Sequence, residues 1–131
     1  MIKNKGGDIL IQGDFNARTS LEKDFLSPDK FDNAFGAESF DLPARNSADR
    51  VINNKGRELL DLCMTYNLCI VNGRKTGDHL GNFTSYQFGG NSVIDYAIAS
   101  QTLFQSILSF KVGEYKPWIS DHCAIHTPYH R

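Results

Sequence analysis

The chain has 131 residues, a length that fits one domain and excludes a multidomain enzyme. Apolar residues make up 40% and charged residues 22%, with no biased tract, which is the composition of a folded chain rather than a disordered one. Fourteen basic against fifteen acidic residues give a net charge of −1, short of the cationic excess of a protein that grips nucleic acid chiefly by neutralising phosphates, so any phosphate contact must draw on a metal ion or a small local cluster of cations.

Met1 to Asp8 carries lysines and glycines with no apolar stretch behind it, so no secretory signal is expected. Asp8-Ile-Leu-Ile-Gln12 reads as a buried strand that delivers the polar tip Gly13-Asp14-Phe15-Asn16. From Arg18 to Asp49 the sequence has no sustained period and is rich in Asp, Asn, Ser and Pro, which predicts a long surface loop with one helical turn near Phe31. Ile52, Leu59, Leu60, Cys63 and Tyr66 recur at helical spacing, so an amphipathic helix runs from Asn53 or Asn54 to about Tyr66, capped by Asn and ended by Asn67. Leu68 to Val71 follows as a strand, with turns at Asn72-Gly73 and Thr76-Gly77-Asp78.

Phe83 to Phe88 and Ser92 to Ala99 read as two strands joined by Gly89-Gly90-Asn91. A brief helix is expected around Thr102 to Gln105, then strands near Ile107 to Val112 and Cys123 to Thr127. The apolar runs, such as Ile9 to Ile11 and Leu68 to Val71, fall far short of the roughly 20 residues that span a bilayer. Cys63, Cys69 and Cys123 form an odd set without CxxC spacing, which argues against a disulfide framework or a zinc site and points to a reducing compartment. The expected location is intracellular, nuclear or cytoplasmic, and not secreted.

Several polar residues could carry chemistry. Side chains two apart share one face of a strand, so Asp14 and Asn16 can point at one ligand; the same four residues also suit a turn closed by Asx hydrogen bonds. Asp95 sits in an apolar run, where a buried carboxylate is costly unless paired. Ser120-Asp121-His122 offers a metal ligand beside an imidazole able to carry a proton or contact phosphate, although a polar turn before an edge strand has the same look. Thr84 and Ser92 are hydroxyls flanking this region, while His79, His126 and His130 have no partner at a metal-ligand spacing.

Taken in order, Gly13-Asp14-Phe15-Asn16, Phe83-Thr84-Ser85, Ser92-Val-Ile-Asp95-Tyr96 and Ser120-Asp121-His122-Cys123-Ala-Ile125 resemble the C-terminal motifs of the endonuclease/exonuclease/phosphatase superfamily. Asn54-Lys-Gly-Arg-Glu-Leu-Leu-Asp-Leu-Cys63 and Asn72-Gly-Arg-Lys-Thr-Gly-Asp78 are similar to the endonuclease domain of non-LTR (LINE-type) retrotransposon polyproteins. The resemblance implies a phosphodiesterase dependent on Mg²⁺ or Mn²⁺ that nicks DNA and leaves a 3′-hydroxyl for priming reverse transcription. Carried across, it implies Asp14 as the group orienting or deprotonating water and Asn16 as the one positioning the scissile phosphate. It implies Asp95 as the carboxylate bonded to His122, His122 at the scissile phosphate, Thr84 near a backbone phosphate, and Asp121 with Asp14 as metal-site carboxylates.

The implied fold is α/β (α+β), part of the four-layer α/β/β/α sandwich of deoxyribonuclease-like folds, with residues 1–131 forming one mixed sheet with helices. Only twelve residues precede Gly13, so the upstream half of such a domain, with its metal-binding Glu, is expected to be missing. The sheet is then expected to leave one apolar face open, to be covered in a homodimer or by that upstream half, with weakened metal binding and impaired activity. The alternatives are the same fold acting on abasic DNA, RNA 3′ ends or phosphoinositides, or a catalytically inert, self-associating fragment.

Overall fold

The computed structural model describes residues 7–25 and 42–130. The predicted helical turn near Phe31 lies outside them. Strand β1 (Leu10–Asp14) is followed after the 42–53 segment by helix α1 (Asn54–Tyr66) and strand β2 (Leu68–Ile70). The hairpin β3 (Ser85–Gln87) and β4 (Gly90–Ser92) precedes β5 (Asp95–Ser100), which runs directly into the short helix α2 (Gln101–Phe104). Two brief strands, β6 (Lys111–Val112) and β7 (Ile125–His126), close the described chain.

Helix α1 forms where the apolar period predicts it. The Asn53 side chain caps it by accepting the Gly56 N–H at 2.7 Å. Asn67, in the left-handed region at φ 55°, ends it and donates its N–H to the Cys63 carbonyl. Its buried face is Gly56, Leu59, Leu60 and Cys63.

The central sheet has the order β1-β5-β2, and both pairings are antiparallel. The expected mixed sheet is therefore replaced by three small antiparallel sheets among the described residues, since β3 forms its ladder with β4 and β6 with β7, apart from the central strands. The predicted Ser92 to Ala99 strand is also divided. Between β4 and β5 the Val93 N–H goes to the Asp49 carboxylate, and the Ile94 and Asp95 N–H groups go to the Thr84 hydroxyl. Side chains take the donors that a continuous ladder would have used. The Ile107 to Val112 stretch joins β7 rather than the central sheet.

Alternation along β5 sorts the core into two clusters. Tyr96 and Ile98 pack with Leu59, Leu60 and Cys63 of α1, whereas Ala97 and Ala99 pack with Leu103, Phe104, Ile107 and Phe110. The face expected to lie open opposite α1 is thus covered by the 101–112 segment at its centre. Ile9, just before the β1 edge strand, and Ile11 within it stay exposed on the other side of the sheet, the α1 side, where Ile11 stands in register with Ile98. Asp95 lies on the Ala97 side of β5, away from α1, and that fixes which side of the sheet carries the site.

The described ends of the predicted surface loop run largely at the surface, with Leu21, Glu22, Lys23, Pro43 and Ala44 exposed, but they send single polar side chains inward. Asp24 is fully buried, accepts the Ile70 N–H at 2.7 Å and takes a bidentate grip from Arg74 at 2.7 and 2.8 Å. Arg74 also donates to the Pro43 carbonyl. Thr19, Ser47 and Asp49 are buried as well.

Candidate active site

In the β1–β5 ladder Asp14 stands directly opposite Asp95. Two carboxylates on neighbouring strands and the same face repel, so this register needs a cation or a proton nearby. His122 meets that need. Its Nδ1 lies 2.9 and 3.1 Å from the two Asp95 oxygens, and its Nε2 lies 3.8 Å from Asp14 Oδ2. The ordinary value of the imidazole is raised by the hydrogen bond to Asp95, against partial burial, and further by the charges of Asp95, Asp14 and Asp121.

Each of the three side chains is placed by a separate device. His122 rides on a segment bridged to β3: Ser85 pairs with His122, the Tyr86 N–H donates to the Asp121 carbonyl and the Cys123 N–H to the Thr84 carbonyl, both at 2.8 Å. Its own N–H is held by the Ser120 hydroxyl at 3.0 Å. Asp95 is fixed through its backbone. The Thr84 hydroxyl accepts its N–H at 3.1 Å, and the Asn72 amide donates to its carbonyl at 2.9 Å while accepting the Ala97 N–H. Asp14 Oδ1 accepts the Asn16 N–H at 2.8 Å, which closes an Asx turn and leaves Oδ2 facing the imidazole.

The other residues singled out in the sequence take different places. Asn16 sits beside the cluster, exposed, with φ 51° in the left-handed region. Thr84 is fully buried, and its hydroxyl accepts the Ile94 and Asp95 N–H groups, so in this structure it positions Asp95. Asp121 lies outside the Asp14–Asp95–His122 cluster, although its charge still acts on His122. Asn72 reads as a turn residue in the sequence, yet it is buried and ties the turn after β2 to β5; nothing at its own position signals that. His122 opens onto a hollow of about 450 Å³ whose walls include Lys116, Ile119 and His126.

Among the described residues, Asp14, Asp95 and His122 offer ligand atoms within 4.8 Å of one another. Both Asp95 oxygens already face Nδ1, and Asp14 Oδ1 is taken by Asn16. Asp14 Oδ2 is the carboxylate oxygen left for a ligand. That donor set fits a hard divalent cation that binds through one or two carboxylates and otherwise keeps its water, and it does not fit a closed zinc site. Cys63 and Cys69 are free and buried, and burial pushes both thiols up to about 12, so neither offers a thiolate.

The profile of a family described as endonuclease-reverse transcriptase matches residues 1–126. No curated protein matches the chain, and no solved structure does. No helix among the described residues is long and apolar enough to cross a membrane.

Proposed function

The chain belongs to the endonuclease-reverse transcriptase family, a branch of the nuclease- and phosphatase-type hydrolases, and we propose that it carries the phosphodiester-cleaving site of a DNA endonuclease that nicks target DNA for retrotransposition. The observation that carries this reading is the contact between Asp95 and His122 Nδ1 at 2.9 Å with Nε2 turned toward Asp14. The four-layer sandwich implied by the motifs belongs to the same reading.

Hydrolysis of a phosphodiester needs an oriented water, in-line attack on phosphorus, and relief of the charge that builds on the phosphoryl oxygens. Asp95 holds Nδ1–H, which fixes the tautomer and orientation of the ring, and the raised affinity of His122 for a proton favours an Nε2–H able to donate to a phosphoryl oxygen. Asp14 Oδ2, partly exposed and without a hydrogen bond among the described residues, is the group that orients the water or takes its proton. Attack then breaks the P–O3′ bond, and the departing O3′ takes a proton from solvent water, leaving a 3′-hydroxyl and a 5′-phosphate. The exposed Asn16 amide, two residues along the chain, positions a phosphate without adding negative charge.

A divalent cation such as Mg²⁺ or Mn²⁺, when bound, supplies charge stabilisation on the phosphoryl oxygens. Asp14 through Oδ2, with Asp121 beside the cluster, would hold it, and Asp14 would then orient the water rather than take its proton.

Nicking of supercoiled plasmid tests the reading. Relaxed circles are expected to form with Mg²⁺ or Mn²⁺, to vanish with EDTA, and to slow by about 10²- to 10⁴-fold in His122→Ala. Metal-independent nicking, or nicking unchanged in His122→Ala, overturns it.

A further inference from the structure

With a net charge of −1 and two facing carboxylates at the site, the protein must find positive charge for a polyanionic strand close to Asp14 and Asn16. The groove beside Asn16 contains one cationic side chain among its lining residues. It measures about 260 Å³ and is bounded by Asn16, Arg18, Asn91, Ser92 and Ile94, with the Gly89-Gly90 turn at its rim.

Arg18 is held with unusual completeness for a residue whose side chain is 30% exposed. Nε donates to Asp49 Oδ2 and one Nη2 hydrogen to Oδ1, each at 2.8 Å, so the guanidinium is gripped along one edge. Asp49 is itself anchored by the N–H groups of Val51 and Val93, both at 3.0 Å. The Val93 bond ties it to the base of the β3–β4 hairpin that forms the opposite wall. The backbone of Arg18 is pinned as well: its N–H goes to Asn53 Oδ1 and its carbonyl accepts the Asn53 N–H, both at 3.0 Å. Gly56, in the first turn of α1, is what lets that helix close on the Arg18 carbonyl, because a Cβ there would collide with it.

A guanidinium has five N–H donors. Two serve Asp49, and the Nη1 pair and the remaining Nη2 hydrogen have no acceptor among the described residues. A carboxylate behind and a solvent-facing donor edge in front is the arrangement of a pre-oriented anion clamp, since the side-chain entropy has been lost on folding rather than on binding. We infer that Arg18 is a substrate-positioning residue, whose outer edge donates to a backbone phosphate flanking the one at His122.

The inference rests on the DNA endonuclease reading, and the experiment separates the two. Binding of a fluorescein-labelled DNA duplex by the whole chain is followed by anisotropy over a salt series, with plasmid nicking in parallel, for wild type, Arg18→Gln and Arg18→Lys. Arg18→Gln is expected to raise KM and weaken the duplex roughly tenfold, to leave kcat within about twofold, and to lower the salt slope by about one. Arg18→Lys keeps the charge and should keep the salt slope while binding about two- to fivefold more weakly, for want of the planar fork. A purely structural role for the Arg18–Asp49 pair moves the melting temperature and leaves the salt slope alone. Unchanged affinity and slope in folded Arg18→Gln overturn the inference and leave the endonuclease reading standing. Should Arg18→Gln not fold, unchanged affinity in Arg18→Lys overturns it equally. Wild type that neither binds nor nicks DNA takes down both.

Discussion

Two carboxylate-bearing regions of this molecule are built on opposite plans. Asp24 is completely buried, and its two oxygens are met by the two ends of the Arg74 guanidinium and by the Ile70 N–H. Asp14 and Asp95 face each other across a strand pair with a single imidazole between them, one carboxylate half in solvent. The first region leaves no charge unanswered; the second holds two negative groups against one titratable partner. Saturation suits a charge pair that holds the chain together, whereas the incomplete cluster keeps a carboxylate oxygen and an imidazole nitrogen uncommitted, as the proposed function requires.

The largest effect is expected from breaking the saturated pair. Arg74→Ala leaves a carboxylate buried without a cation and frees the Pro43 and Ile70 carbonyls, so a loss of about 3–5 kcal/mol in unfolding free energy is expected. Urea denaturation measures it. A loss under about 1 kcal/mol would place Asp24 in the class of exposed pairs.

An intermediate effect is expected where the segment after Asp14 meets the start of α1. Asn53 Oδ1 accepts both the Gly56 N–H, which caps α1, and the Arg18 N–H, which fixes the chain four residues after Asp14. Asn53→Ala removes both bonds. The cap alone is worth about 1 kcal/mol, and a loss at or above that figure, read from the same denaturation curves, is the expected result.

The contrast between the regions also separates what the sequence reveals from what it hides. Helix α1, its Asn caps and the β2 strand follow from local periodicity and capping, which depend on neighbours within a few residues. By contrast, β1 runs from Leu10 to Asp14 as a largely exposed edge strand rather than the buried Asp8 to Gln12 strand expected, because which strand ends at the sheet edge is set by distant partners. Asp95 declares itself as a carboxylate in an apolar run, and the order of the motifs points to His122 as its partner, so the Asp95–His122 contact is visible without coordinates. The Asp24–Arg74 pair is not: its members are 50 residues apart, and each looks like an ordinary surface charge in its own segment. The same holds for Asn72 and Asp49, whose tasks are set by backbone donors that arrive from β5 and the Val93 turn. The division of the predicted Ser92 to Ala99 strand is hidden for a related reason, because a Thr84 hydroxyl and an Asp49 carboxylate outcompete the ladder for three N–H groups.

Relieving the unsaturated cluster should act in the opposite direction to breaking the saturated pair. In Asp14→Asn the amide oxygen can still accept the Asn16 N–H, while the negative charge opposite Asp95 is removed. Stability is expected to rise by about 0.2–1 kcal/mol at neutral pH, the usual scale of a cross-strand charge effect, while nicking is lost. A destabilised Asp14→Asn would mean that the attraction of Asp14 to a protonated His122 outweighs its repulsion from Asp95.

The smallest effect, and the one that probes the cluster most directly, is its dependence on pH. Folding raises the proton affinity of His122, first through the Asp95 hydrogen bond and then through the charges of Asp95, Asp14 and Asp121. A group whose folded value lies above its unfolded one contributes stability that is fully present below the unfolded value, about 6.5 for histidine. That contribution declines as pH rises above the unfolded value and is lost once pH passes the folded one, because the native state then no longer holds the extra proton. Unfolding free energy should therefore fall gently over the window opening near neutrality, and solvent screening at this partly exposed ring keeps the fall small. Asp95→Asn removes the main cause and should flatten that slope, while the His122 ring protons, followed by NMR titration, move to a lower midpoint. Asp14→Asn, which removes only a more distant charge, should move the midpoint less in the same direction. An unshifted midpoint in Asp95→Asn would show that the Nδ1 contact does not govern the proton on His122, and would leave the ring without the orienting partner that its proposed role requires.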